Sequence, residues 1–191
     1  MNSFYKLNKV EKIGFGSFGK NVLISKFANF YNASNIHLGS NVRIDDFCIL
    51  SAGQEGIFID DYVHIGCYSS LIGQAKIQIS KFANISTRVS IFSSSDDFSG
   101  ESLTNPTTSD HFKKLENKAV NIEKHVIIGT NSTILPGVNL HEGCAIGAHS
   151  LVKLSCPKYK IFAGIPVKEI GKRSEKLKDL EVNFLKNNKY Q

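Results

Sequence analysis

The 191-residue chain is 41% hydrophobic and 21% charged, with 15 Gly and only 4 Pro, an ordinary composition for one globular domain. No apolar run approaches the roughly 20 residues of a membrane helix, and the start lacks the apolar core of a secretory signal, so a membrane span is excluded and a cytoplasmic protein is expected. The net charge of +6 is concentrated late, from Lys153 and Lys158 to Lys176 and Lys178, with no stacking-plus-basic motif, which points to a phosphorylated small molecule and away from nucleic acid.

From Phe18 the chain keeps a six-residue beat of large apolar side chains: Phe18, Ile24, Phe30; Leu38, Ile44, Leu50; Ile59, Ile65, Leu71; Ile79, Ile85, Ile91. It resumes at Ile122, Ile128, Ile134 and at Leu140, Ile146, Val152, and four residues after most of these anchors stands a small side chain such as Val42, Cys48 or Ala83. A helical stripe needs apolar residues at i, i+3, i+4 and i+7, so helix is excluded. A unit this short cannot bury a core alone and must stack on itself. Each hexad supplies a short strand and a corner, three hexads close a triangular coil, and about six coils stack into a solenoid of parallel strands. Gly39, Gly66, Gly129, Gly137, Gly143 and Gly147 fall where corners need permissive backbone. Slips at 36–38, 53–58 and 73–78 are expected to be bulges at coil junctions.

The beat stops between Ile91 and Ile122. An insertion this long, residues 93–120, reads as a functional loop, with Phe98, Leu103, Phe112 and Leu115 expected to dock it. Beyond Cys156-Pro157 an extended stretch leads into a helix within 173–191, with Ser174 as its N-cap. Its stripe of Leu177, Leu180, Phe184 and Leu185 should pack on the solenoid end or on a neighbouring subunit. The four Cys form no CxxC and are expected to be free and reduced, and no His/Cys/Asp set has zinc spacing, so no metal is expected.

The run IIGTNSTILPGVNLHEGCAIGAHSLV, followed by AGIPVKEI, resembles the C-terminal signature of the hexapeptide-repeat acyltransferases, and the resemblance covers roughly residues 20–172. It implies an all-β fold, a left-handed parallel β-helix over 1–172 with a short C-terminal α-helix over 173–191. It also implies a homotrimer and acetyl-CoA as acyl donor. The likeness is strongest to acetyltransferases of sugars and cell-surface polysaccharides, with the maltose/galactoside and xenobiotic enzymes also similar. By motif match, Gly129, Thr130, Gly147, Ala148, the Ser150–Lys153 edge, Pro166 and Lys168 would border the pantetheine arm, with Lys168 or Lys172 on a CoA phosphate. His149 would lie near the same groove.

The family base is a His just after a third-face strand, and here that place holds Asp96. Three possibilities stay open: Asp96 or Asp97 acts as a carboxylate base, His111 reaches Asp96 to form a His–carboxylate couple, or the chain binds acyl-CoA without efficient transfer. Against them stand plain roles, Asp96-Asp97 capping a turn and His111 facing solvent. His64, His125 and His149 are expected on outer surfaces, His37 and His141 as ordinary surface residues. The leading expectation is O-acetylation of a sugar hydroxyl in surface-polysaccharide biosynthesis. The alternatives are N-acetylation of a nucleotide-linked amino sugar and a non-catalytic scaffold.

Overall fold

A computed structural model describes residues 3–187; residues 1–2 and the last four of the expected 173–191 helical segment lie outside the described residues. Three parallel sheets form the walls of a triangular prism, a left-handed parallel β-helix of six complete coils and a partial seventh. The first wall brings Phe18, Leu38, Ile59, Ile79, Ile122 and Leu140 into register. The second aligns Ile24, Ile44, Ile65, Ile85, Ile128 and Ile146, and the third aligns Phe30, Leu50, Leu71, Ile91, Ile134 and Val152. Nearly all of these side chains are fully buried and form one continuous core. Each anchor is a period-2 inward residue of a two- to four-residue strand, so a one-residue slip would turn the ladder outward.

Corners are four-residue turns, closed by bonds such as Ser69 N–H to the Gly66 carbonyl at 3.3 Å. Their third residue takes a left-handed φ, and it is usually not glycine: Phe47, Tyr62, Tyr68, Phe82, Arg88 and His125 all have φ near +60°. That backbone costs ~1–2 kcal/mol per residue. Stacking from coil to coil offsets it: Phe47 lies 4.9 Å from Tyr68, and Tyr62 4.9 Å from Phe82, each such pair contributing ~0.5–1.5 kcal/mol. The corner glycines divide accordingly. Gly137 and Gly143 have positive φ as expected, whereas Gly39, Gly66, Gly129 and Gly147 are there because the next coil leaves no room. A Cβ on Gly129 would lie 2.5 Å from the Ala148 nitrogen.

The six-residue step holds at the first two corners of every complete coil, and all extra length sits at the third. The slips at 36–38, 53–58 and 73–78 are expansions of that corner, not bulges, because the wall registers run on unbroken beside them. The insertion leaves from the same corner. Its neck is pinned by Ser94–Ser95 pairing antiparallel with Glu116–Asn117. Phe98, Leu103, Phe112 and Leu115 do not dock it: all four are exposed, Phe98 at 93%.

Past the sixth coil, strand Lys160–Gly164 continues the second wall beside Ala145–Ile146, then turns back through Val167–Lys172. The Ile165–Pro166 peptide at the tip is cis. Arg173 caps this end, donating to the carbonyls of His125 at 2.7 Å and Gly143 at 3.1 Å. Ser174 accepts the Lys176 N–H, and helix Leu177–Asn187 follows. It lies along the first corner rather than over the solenoid end, with Phe184 edge-on to Tyr62 and Phe82. All four cysteines are free. Burial pushes the Cys48 thiol up to about 12, which keeps it a neutral, compact core group.

Candidate active site

Two edges border the outer face of the third wall. The second corner, between the second and third walls, carries a column of small residues, Gly66, Ser86, Gly129, Gly147 and Ala163, one on each successive coil. The Gly129 and Gly147 amides donate along the ladder, to Ile146 at 2.8 Å and Phe162 at 2.7 Å, and offer nothing to a ligand. The following residues differ: among the described residues, no hydrogen bond engages the N–H of Thr130 or Ala148. These two free donors lie beside the small-residue column, next to the Asn131–His149 side-chain pair, and suit the amides of an extended arm. Ser150 is buried, and its hydroxyl donates to the Gly147 carbonyl at 2.8 Å, so it faces the turn and not a ligand. Lys168 stands opposite Ala163 in the terminal hairpin, at the end of the column, and Pro166 sits exposed at the hairpin tip. Lys153 is elsewhere. It follows Val152 at the third corner, one coil beyond Leu135.

Asp96 and Asp97 lie at that third corner, just beyond the pinned neck of the loop. Asp97 Oδ1 accepts the Ser99 N–H at 2.8 Å and Oδ2 the Ser102 hydroxyl at 2.9 Å. The Ser99 bonds, then that from Ser102, hold its carboxyl down at about 2. Asp97 is therefore an ionised turn cap with a weakened appetite for protons. The Asp96 carboxylate has no hydrogen-bond or ion-pair partner among the described residues and is exposed. It lines two adjoining open grooves, one of about 440 Å³ with Asp97, Lys114 and Glu116, the other of about 540 Å³ with Phe92, Leu115, Leu135 and Pro136. Phe98 borders both.

His111 does not join them. It sits in the short 3₁₀ turn Asp110–Phe112 and lines a separate cleft with Gly100 and Leu103. No His–carboxylate couple with Asp96 forms within the chain. The other five histidines are engaged. His64 bonds Asp45 at 2.8 Å and Asn84 at 3.0 Å, occupying both ring nitrogens. His125 is buried, not on the outer surface, stacked on Phe82 and bonded to Glu181 at 2.8 Å. Burial pulls the Glu181 carboxyl up, but bonds from Lys124 and His125 outweigh it and hold it below the usual range. His37 bonds Ser17, His141 bonds Glu123, and His149 bonds Asn131. Among the described residues no group of three or more His, Cys, Asp or Glu could hold a metal ion. No described helix is long and apolar enough to cross a membrane. Sequence reasoning missed the division of the Asp96 surface into a charged and an apolar half; only Leu135-Pro136, at the third corner one coil past the insertion, hinted at it.

The stacked hexapeptide prism is a fold of acyltransferases, and the chain's relatives are proteins of that class. No protein-family model matches the chain. It is 51% identical over 176 residues, 92% of both chains, to a dTDP-4-amino-4,6-dideoxy-D-glucose acyltransferase of Escherichia coli. It is 31% identical, over 84% of both chains, to WbbJ, a putative lipopolysaccharide biosynthesis O-acetyl transferase of Escherichia coli K12. The chain belongs to the hexapeptide-repeat acyltransferases, so it is an enzyme and not a passive scaffold. Among solved structures it is similar to AntD, an N-acyltransferase from Bacillus cereus in complex with dTDP and 3-hydroxybutyryl-CoA. The TM-score is 0.95 at 47% identity, covering 99% of this chain and 100% of that one. AntD has also been solved as variants at one aspartate and at one serine. A maltose O-acetyltransferase from Clostridium difficile 630, at 20% identity and TM-score 0.53, over 88% of this chain and 75% of that one, shares the fold.

Proposed function

We propose that this chain acetylates the amine of a nucleotide-linked amino sugar, with acetyl-CoA as donor. The observation that carries this is full-length likeness to an acyltransferase named for a dTDP-linked 4-amino sugar. The chemistry of the base supports it. A hydroxyl is a poor nucleophile and needs a base with a pKa near the operating pH to remove its proton as it attacks. An amine carries its own lone pair. The base need only take the proton that the nitrogen sheds once the C–N bond has begun to form, and a carboxylate suffices. Asp96, exposed and unpaired in its groove, is the group we assign to that step, with Asp97 fixing the turn beside it. The amine nitrogen attacks the thioester carbonyl, the C–S bond breaks as the tetrahedral intermediate collapses, and the proton passes by way of Asp96 to the departing CoA thiolate. Holding both substrates in line accounts for most of the catalysis.

In this reading the pantetheine arm runs along the second corner, donated to by Thr130 and Ala148, with Gly129 and Gly147 as the clearance beneath it. Lys168 is the point charge for a CoA phosphate and Lys114 for the acceptor's diphosphate. Lys153 lies beside the Asp96 side of the wall and could serve either. The donor would lie between subunits of a homotrimer, which gives an occupant to the exposed edge of Phe27, Phe47 and Tyr68. A second reading, transfer to a hydroxyl of a surface polysaccharide, is favoured by the WbbJ likeness. The test is acceptor-dependent thiol release from acetyl-CoA. The expected result is turnover with dTDP-4-amino-4,6-dideoxyglucose and none with neutral sugars; the reverse pattern selects the second reading.

A further inference from the structure

We infer that the N-terminal end of the prism docks on an anionic phospholipid bilayer, through Lys6, Lys9, Lys12 and Lys20 around Leu7. Besides the late lysines, a second cationic band stands at the start of the chain. The first 44 residues carry six Lys or Arg against one acid, Glu11, whereas residues 45–152 carry seven against twelve. The last coil of the donor edge and Lys168 lie at the opposite end of the prism, so the proposed reaction has no use for this band. The cap gives it its geometry. The chain crosses the open end of the first coil: the Tyr5 N–H donates to the Ile24 carbonyl at 2.9 Å, Val10 is buried in the core, and Tyr5, Ile13 and Phe15 pack against it. With these side chains turned inward, the lysines of the same segment are left outside. Lys6, Lys9, Lys12 and Lys20 are exposed, and among the described residues none has an ion pair. Elsewhere Arg43, Lys81 and Lys124 are held by Asp45, Asp61 and Glu181.

Cations without a carboxylate of their own attract an external anion. Leu7 decides which one. It is 62% exposed among these lysines, while Val10, one helical turn on, fills the core. A nucleic acid offers phosphates but nothing for Leu7, and the rings of Tyr5 and Phe15 face the core, where no base can stack on them. A bilayer offers both partners, anionic headgroups for the lysines and the acyl boundary for Leu7. The plainer role for such lysines is to guard the unpaired edges of Ser17–Phe18 and Asn29–Tyr31 against end-to-end stacking.

The test is co-sedimentation of the whole protein with vesicles of phosphatidylcholine alone, or of phosphatidylcholine mixed with an equal part of phosphatidylglycerol. Binding is expected to the anionic vesicles only, and should fall steeply as salt is added. Lys6→Gln with Lys9→Gln should weaken it by about 25-fold, at about fivefold per lysine. Leu7→Gln should weaken it by about fivefold, and all these proteins should melt like the wild type. Lys176→Gln with Lys186→Gln removes the same charge near the other terminus and should leave binding intact. Absence of binding to either vesicle overturns the proposal. So does equal loss in the two double variants, which would reduce the effect to net charge. Binding that Leu7→Gln leaves intact and duplex DNA competes away would make the end a nucleic-acid surface instead. A Lys6→Gln, Lys9→Gln protein that keeps its vesicle binding but polymerises would show lysines that only guard an edge.

Discussion

The prism and the inserted loop are built on opposite rules. In the prism, position follows from period: Ile85 is buried because Ile65 precedes it and Ile128 follows it in the same ladder. In the loop, position follows from single contacts, such as the grip of Ser99 and Ser102 on Asp97, and its apolar residues face solvent. The candidate base sits at the seam, one strand past the fourth coil. The rigid part supplies placement, and the irregular part supplies a carboxylate left unpaired, unlike Asp45 and Asp61 of the prism, which are bonded to His64 and Lys81.

That contrast can be broken experimentally. Asp96→Asn should cut turnover by roughly 10²–10⁴ while thermal unfolding stays unchanged; steady-state kinetics with the melting curve checks both. In the prism the pattern inverts. Ile85→Ala should cost ~2–5 kcal/mol in denaturant unfolding, because the cavity opens in a ladder packed on every side. Gly129→Ala should destabilise by ~1–3 kcal/mol and weaken CoA binding, since the added Cβ meets the Ala148 backbone. A wild-type-like melt with normal CoA affinity would show that the second corner is not tight.

The smallest effect is local and depends on pH. The Asp97 carboxyl is lowered to about 2 by hydrogen bonds that exist only in the folded loop. A depressed folded value means the stabilisation is complete above the unfolded value, about 4, and is lost as pH falls toward 2. Hydrogen exchange at the Ser99 amide, corrected for intrinsic rate, should lose protection over that window while the Ile85 amide keeps it. Parallel loss at both would mean the loop and prism unfold as one unit.

The same contrast explains what could be read in advance. Every anchor column, from Phe18–Leu38 to Ile134–Val152, is legible in the six-residue beat, because burial at period six leaves no other register. The corners were legible only in part. Gly39 and Gly129 look like conformational glycines in sequence, yet a clash with the next coil is what requires them, and Phe82 and His125 occupy the left-handed turn positions instead. His125 is buried because Glu181, 56 residues later, comes to meet it, a pairing no local pattern encodes. The position of Asp96 followed from the register set by Ile91, which puts this aspartate where the family histidine would stand. Its separation from His111 did not, because the path of the loop depends on contacts within the loop.

The most direct measurement is the bond made in the product. The product of acetyl-CoA and dTDP-4-amino-4,6-dideoxyglucose is isolated, treated with hydroxylamine and weighed by mass spectrometry. An added acetyl group that survives, and that is missing from the Asp96→Asn reaction, is the result expected of an amide formed at this site. An acetyl group that hydroxylamine removes, or one formed equally well by the variant, would contradict transfer to nitrogen through Asp96.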